Sequence, residues 1–298
     1  MESDAFACLA WLPRKKKPDS LRPAFVEWAI ASQELGRIST PAVCVARPNW
    51  FISVIPDGAS KLRDRVLTIL LKDGQAEGKV IFVDPIHRIC VIEADERVNE
   101  SPLPLASGPA PRAGVALKCY YSQEKTRSTV AGKDRHYRGE DLFRPLLRVR
   151  IEEAEEFCHP GAPLVNEKGE IVGLLTGRDL AIDAEAHAIP ASQLRKLLLD
   201  LEQFNRSEPV WVGLVFHNES STPVVLDVKP DSPSSEAEIQ PGDIILSLGR
   251  TRIRDLHDLV DAIHDLPAGV ETKVKVLRGM EEISTKLTPR FANTASNP

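Results

Sequence analysis

The sequence predicts a mainly β protein in two parts. Residues 38–190 should fold as a sandwich or a pair of antiparallel barrels, and about 210–290 as a smaller α+β unit. Two observations carry this. Short runs rich in Val, Ile and Leu recur between turn-forming stretches such as "KDGQ", "SGPAPRAG" and "NEKGE". A single amphipathic helix and a polar linker, "NRSEP", then divide them from a second set of signals.

Taken in order, residues 1–20 are irregular, and "RPAFVEWAIASQEL" (22–35) predicts a helix. Its stripe is Phe25, Trp28 and Ala29, widened by Val26 and Ile30, with Gly36 as the stop. Strands follow at "AVCVA", "RVLTILL", "KVIFV", "RICVIEA", "VALKCYY", "LLRVRI" and "EIVGLL". Residues 191–204 form a helix whose apolar face is Leu194, Leu197, Leu198, Leu201 and Phe204. The expected division is a tail at 1–20, a first domain at 21–204 including the N-terminal helix, a second at 205–290 and a tail at 291–298.

Composition excludes some classes of function. A formal charge of -5 and a pI near 5.9 provide no general attraction to nucleic acid. The basic run Arg14-Lys15-Lys16-Lys17 reads as a solvated tail. Five cysteines (Cys8, Cys44, Cys90, Cys119, Cys158) lack C-x-x-C spacing, so neither a zinc site nor a disulfide framework is expected. The acidic run Glu152, Glu153, Glu155, Glu156 reads as a solvated loop, and no metal or cofactor is expected. The apolar stretch "AFACLAWL" (5–12) is too short to span a bilayer, and its basic residues follow rather than precede it. The expectation is therefore a cytoplasmic protein with no membrane span.

In the second unit, Ser232 caps a short helix with Pro233 in its first turn, and Pro241-Gly242-Asp243 turns into a strand. Residues 254–265 form a helix burying Leu256, Leu259, Val260 and Ile263. Residues 211–288, above all Pro230-Asp231-Ser232-Pro233 through Ile245, resemble a PDZ domain of the kind found in HtrA proteases. The resemblance implies that Trp211-Val212-Gly213-Leu214 is a carboxylate-binding loop, whose backbone N–H groups receive the C-terminus of a peptide or protein partner. The alternative is that Trp211 and Leu214 only close the core. The family usually has glycine where this chain has Glu238, a helix-end position favouring positive φ, and the exchange costs about 1 kcal/mol.

The first unit resembles the trypsin-like double barrel of the same family. "FISVIPDG" (51–58), "LLKDGQAEGKVIFVDPIHRICVIEAD" (70–95) and "AHAIPASQLRKLL" (186–198) carry the likeness. The family's catalytic aspartate directly precedes an L-A-L-L strand, and here Arg88 precedes Ile89-Cys90-Val91-Ile92. A guanidinium cannot accept an imidazole N–H. No histidine falls between Asp57 and Asp73, where the resemblance places the base. The G-N-S-G-G-P nucleophile loop is replaced by Cys158-His159-Pro160-Gly161-Ala162-Pro163. Aligned without gaps, Pro160 takes the serine's place; aligned on the preceding residues, the serine is deleted. Proline also lacks the N–H that the nucleophile contributes to an oxyanion hole, a loss of about 10²–10³ in rate.

The resemblance thus implies an inactive HtrA-like protein that binds or scaffolds peptides through its PDZ domain. Two alternatives stand beside it. One is a regulatory partner in a hetero-assembly with an active HtrA paralogue; the resemblance separately implies a homo-trimer formed through the N-terminal segment. Helix 22–35 with Phe25 and Trp28 could serve there, or be buried on its own barrel. The other is an active endopeptidase of serine type with rearranged residues, or one built on Cys158 with a histidine. His159 is adjacent and would point away, and His187 has nothing in the sequence to bring it near.

Overall fold

The structure, a computed structural model, describes residues 23–29, 37–56, 62–84, 86–108, 110–121, 124–137, 143–178, 185–205, 210–217 and 221–292. The chain divides into two compact units, the main break falling between Ser207 and Glu208, with residues 134–145 grouped with the second.

The first unit holds two closed antiparallel barrels. Barrel one uses β1 (Ala24–Ala29), β2 (Arg37–Cys44), β3 (Trp50–Val54), β4 (Val66–Leu71), β5 (Gly74–Asp84) and β6 (Ile89–Ala94), in the order β1-β2-β3-β6-β5-β4. Barrel two uses β7 (Ala116–Tyr121), β8 (Glu124–Tyr137), β9 (Phe143–Ile151), β10 (Pro163–Val165), β11 (Ile171–Arg178) and β12 (Glu185–Pro190), in the order β10-β11-β12-β9-β8-β7. A short helix, α1 (Ala154–Phe157), precedes β10, and α2 (Ala191–Phe204) follows β12.

Residues 24–29 correct the sequence reading, since the predicted helix over 22–35 is strand β1 there. Val26 and Trp28 are fully buried and alternate with half-buried Phe25 and Glu27, a period of two. A short apolar run fits either period, and here barrel closure decides: β1 pairs with β2 on one side and with β4 on the other, Val26 opposite Ile69. The rest of the predicted helix lies outside the described residues. Burial of Trp28 in its own barrel also decides what that side chain covers.

Strand β8 is not signalled in the sequence because its inward positions are Thr126, Ser128 and Val130, two of them polar. The barrels meet over a shared core. Val43, Ile52, Val54, Phe82, Ile89 and Val91 from the first pack with Leu146, Ile171, Leu174 and Ile189 from the second. Helix α2 adds Leu194, Leu197 and Leu198. Each such side chain contributes about 1.5–3 kcal/mol on burial.

The second unit contains β13 (Val210–Trp211), β14 (Leu214–Phe216), β15 (Val225–Val228), α3 (Pro233–Glu236), β16 (Ile244–Leu248), β17 (Thr251–Arg252), α4 (Leu256–His264), β18 (Thr272–Arg278), β19 (Glu281–Leu287) and β20 (Arg290–Phe291). Strand β13 pairs with β20, β14 with β15, and the rest run β17-β16-β18-β19. The predicted caps are present: Ser232 Oγ accepts from Ser235 N at 3.1 Å, and Asp255 accepts from Asp258 N at 2.8 Å. Glu238 takes the left-handed conformation, φ 58°. Its carbonyl accepts from Arg278, whose guanidinium also bonds both oxygens of buried Asp243 at 2.8 Å.

Candidate functional site

Two places concentrate the residues singled out in the sequence. The first is the junction of the barrels. Strands β3 and β6 run antiparallel with Val54 opposite Ile89, so Arg88 enters β6 beside the end of β3. Its guanidinium donates to the Pro56 carbonyl at 2.8 Å and reaches that of Ile55 at 3.4 Å, while its own carbonyl accepts from Ile55 N at 2.7 Å. Arg88 adopts φ 56°, a conformation that favours glycine.

One turn earlier lies an acid–imidazole pair that the sequence reading did not single out. His87 Nδ1 donates to Asp84 Oδ2 at 2.7 Å, and Asp84 Oδ1 accepts from the N–H groups of Ile86 and His87. Both side chains are buried. Burial alone raises the Asp84 carboxyl, but the His87 ring and the two backbone donors outweigh it and hold it below 3.8. The readable signal was Asp-Pro-x-His, an acid at a turn with histidine three residues on.

This pair sets an acid limb on stability. With the folded carboxyl below its ordinary 3.8, the unfolded chain binds the proton more readily. The contribution is complete above about pH 4 and is lost as pH falls through the folded value. Asp84→Asn should flatten the loss of first-unit stability as pH falls below about 4 in urea titrations. An unchanged acid limb would show that other carboxylates dominate it.

The loop 158–162 is built on α1. Cys158 N donates to Ala154 O at 3.0 Å, His159 N to Phe157 O at 2.9 Å, Gly161 N to Leu175 O at 2.7 Å and Ala162 N to His159 O at 3.0 Å. Pro160 has no N–H. Every amide of the loop is thus turned inward onto a carbonyl. Gly161 sits at φ 94° against barrel one, where a Cβ would lie 2.5 Å from the Pro41 carbonyl oxygen. The His159 ring stacks on Tyr121 at 3.9 Å and 13°, and Tyr121 meets the Phe25 ring edge-on at 5.5 Å. With His159 Nε2–H donating to Glu156 O at 3.0 Å, the imidazole is engaged on its face and its edge. Cys158 is half-buried and packs against the core of barrel two. His187 lies in β12, two strands from β10, the strand the loop enters.

The second place is the turn Trp211-Val212-Gly213-Leu214. Gly213 has φ 80°, and a Cβ there would come within 2.1 Å of Ser232 Cβ. The turn's carbonyls are tied down: Gly213 O accepts from Lys229 N at 2.9 Å and Val212 O from Ser234 N at 3.0 Å. The N–H groups of Val212 and Gly213 have no acceptor among the described residues. Oriented donors of this kind form an anion-binding concavity. Val212 is buried in the core, Trp211 is 36% exposed, and half-buried Leu214 packs against the core. Half-buried Leu214 and Phe216 continue from the turn along β14. On α4, Leu256, Leu259 and Ala262 face the core, which leaves half-buried His257, Asp261 and His264 on the other side.

Comparison with known proteins places this arrangement. Residues 210–288 match the PDZ domain family. Over 257 residues the chain is 25% identical to the serine protease HTRA2, mitochondrial, of Bos taurus, covering 76% of this chain and 55% of that protein. It is 24% identical over 244 residues to the periplasmic serine endoprotease DegP of Salmonella typhimurium, covering 74% of this chain and 51% of that one. The solved structure of the HtrA-type protease AlgW with tripeptide superposes with a TM-score of 0.60 at 16% identity, over 93% of this chain and 95% of that one. The serine endoprotease from Yersinia pestis superposes at 0.54 with 18% identity, over 95% and 100%.

The chain has an HtrA-type protease fold carrying a PDZ domain. The HtrA-type double barrel expected from the sequence is therefore present, as is the C-terminal PDZ unit. The chain spans about half the length of these two curated relatives. Their names are mitochondrial and periplasmic, and another relative's is chloroplastic, so the cytoplasmic expectation finds no support among them. Among the described residues no helix is long and apolar enough to cross a membrane.

Proposed function

We propose that this chain is a catalytically inactive HtrA-type module that holds the C-terminal tails of peptides or proteins in its PDZ groove, as a scaffold or a regulator. One observation carries the inactive half: in the loop at the nucleophile position every N–H group is bonded to a backbone carbonyl of α1, β11 or the loop itself, and its central residue, Pro160, has none. An oxyanion would meet no donor there. Arg88, at the position of the orienting carboxylate, offers donors where an imidazole needs an acceptor. The peptide-binding half is supported by the two uncommitted amides at Val212 and Gly213.

Incubated with an unfolded substrate such as casein, the purified protein should release no fragments above a buffer control. Reproducible cleavage removed by Cys158→Ala would replace this reading with a cysteine hydrolase. Cleavage that persists in that variant and co-elutes with the protein would point to a serine-type reaction on rearranged residues. In its regulatory form the proposal has the chain co-assemble with an active HtrA-type protease. A mixed species in size-exclusion chromatography with light scattering is then expected, with the protease's turnover changed in proportion.

A further inference from the structure

Cys158 stands on the rim of barrel two with a second thiol beneath it. Cys119, in β7, is fully buried, and its Sγ–H donates to the Phe157 carbonyl oxygen at 3.6 Å. That carbonyl belongs to the peptide bond leading into Cys158. Both side chains pack into one apolar cluster, Cys119 within it and Cys158 against it. Neither is in a disulfide. The partners are 39 residues apart in the chain, and β7 meets the loop because β7 and β10 close the barrel, Cys119 opposite Leu164.

We infer that Cys158 and Cys119 form a peroxide-responsive thiol pair, in which the half-exposed sulfur is oxidised first and the buried one resolves it to a disulfide. The reaction balances in two steps. The Cys158 thiolate attacks a peroxide oxygen, the O–O bond breaks, and hydroxide leaves with a sulfenic acid on Cys158. The Cys119 sulfur then attacks the Cys158 sulfur, an S–S bond forms, the S–O bond breaks, and the oxygen departs as water with the Cys119 proton. Overall two thiols and one peroxide give one disulfide and two waters.

The order follows from access. Cys158 is half-buried where solvent reaches it, and Cys119 is sealed inside. Burial, and secondarily the Cys158 thiolate, push the Cys119 thiol up to about 12. The influence of Cys158 on Cys119 is a further sign of closeness. It also makes the second step slow at neutral pH and faster in alkali, because the attacking species is the thiolate. The disulfide would tie the loop carrying Pro160 and Gly161 to β7, on which His159 already stacks through Tyr121.

The test uses the full chain treated with hydrogen peroxide, then alkylated and digested with trypsin without reduction. The expected product is a cross-link between peptides 119–125 and 151–168, which disappears with dithiothreitol. In Cys119→Ser the sulfenic acid on Cys158 should persist and be trapped by dimedone. Should that buried variant fail to fold, Cys158→Ser, on the rim, supplies the control: Cys119 should stay alkylatable after peroxide and unfolding. The proposal is overturned if wild-type Cys158 proceeds to sulfinic acid while Cys119 stays reduced. It is equally overturned if Cys119 links to another cysteine, or if Cys158 resists peroxide that oxidises free cysteine.

Discussion

Gly213→Ala should abolish the proposed binding of a free C-terminal peptide to the PDZ unit, whereas a substitution at exposed Met280 should leave it intact. The reason is local. The residue sits at φ 80°, and the added methyl carbon would lie 2.1 Å from Ser232 Cβ and 2.4 Å from Ser232 Oγ. Left-handed backbone costs an alanine about 1–3 kcal/mol, and displacing Ser232 adds about 1–3 more. Ser232 cannot yield cheaply, because it is buried and caps α3. The turn moves instead, and the N–H groups of Val212 and Gly213 are displaced with it. The wild-type unit should bind with micromolar affinity, about -8 kcal/mol. Amidating the peptide's terminus should weaken binding by about tenfold or more, since hydrogen bonds to a charged group are worth about 1.5–3 kcal/mol. Calorimetry on wild type and Gly213→Ala, with free-acid and amidated peptides, reads both effects. Equal binding of acid and amide by the wild type would leave the turn a structural element and remove the main support for the peptide-binding proposal.

Trp28→Ala should cost the first unit more than any other change considered. Trp28 is the largest fully buried side chain among the described residues, and truncations of that size cost about 3–5 kcal/mol. It also starts a buried chain of hydrogen bonds. Trp28 Nε1–H donates to Thr40 Oγ1 at 2.7 Å, Thr40 and Ser53 hydroxyls meet at 2.9 Å, and Ser53 Oγ donates to the Pro41 carbonyl at 2.9 Å. That carbonyl is the surface against which Gly161 packs, so the chain ends at the loop 158–162. Set against a total of about 5–15 kcal/mol for a folded domain, the loss should unfold much of the first unit near body temperature. Trp28→Phe keeps most of the volume and removes the N–H, and should cost about 1–3 kcal/mol. Urea unfolding of the three proteins separates packing from hydrogen bonding. If alanine and phenylalanine cost the same, the indole contributes through its N–H alone and the packing account fails.

The sequence alone determined whatever depends on neighbours along the chain. Val66–Leu71 and Ile89–Ala94 announced strands through β-branched and aliphatic runs, and residues 191–204 a helix through Leu194, Leu197 and Leu198. Ser232-Pro233 announced a capped turn of helix, and the family resemblance marked Glu238 as a left-handed position. Each is a steric demand within a few residues, legible without knowing what lies across the fold.

The tertiary structure decided what depends on residues far apart in sequence. Segment 24–29 carries an apolar pattern compatible with either period, and the open edges of β2 and β4 made it a strand. Thr126 and Ser128 face the interior of barrel two because barrel closure assigns that face, whatever their polarity. Arg88 and Pro160 could be read as departures from a catalytic pattern. That the guanidinium rests on the Pro56 carbonyl, and that the loop's amides turn inward, are outcomes of packing between strands. The meeting of Cys119 with the Phe157–Cys158 peptide is of the same kind: two sulfur-bearing residues 39 apart become neighbours when β7 pairs with β10 and closes the barrel.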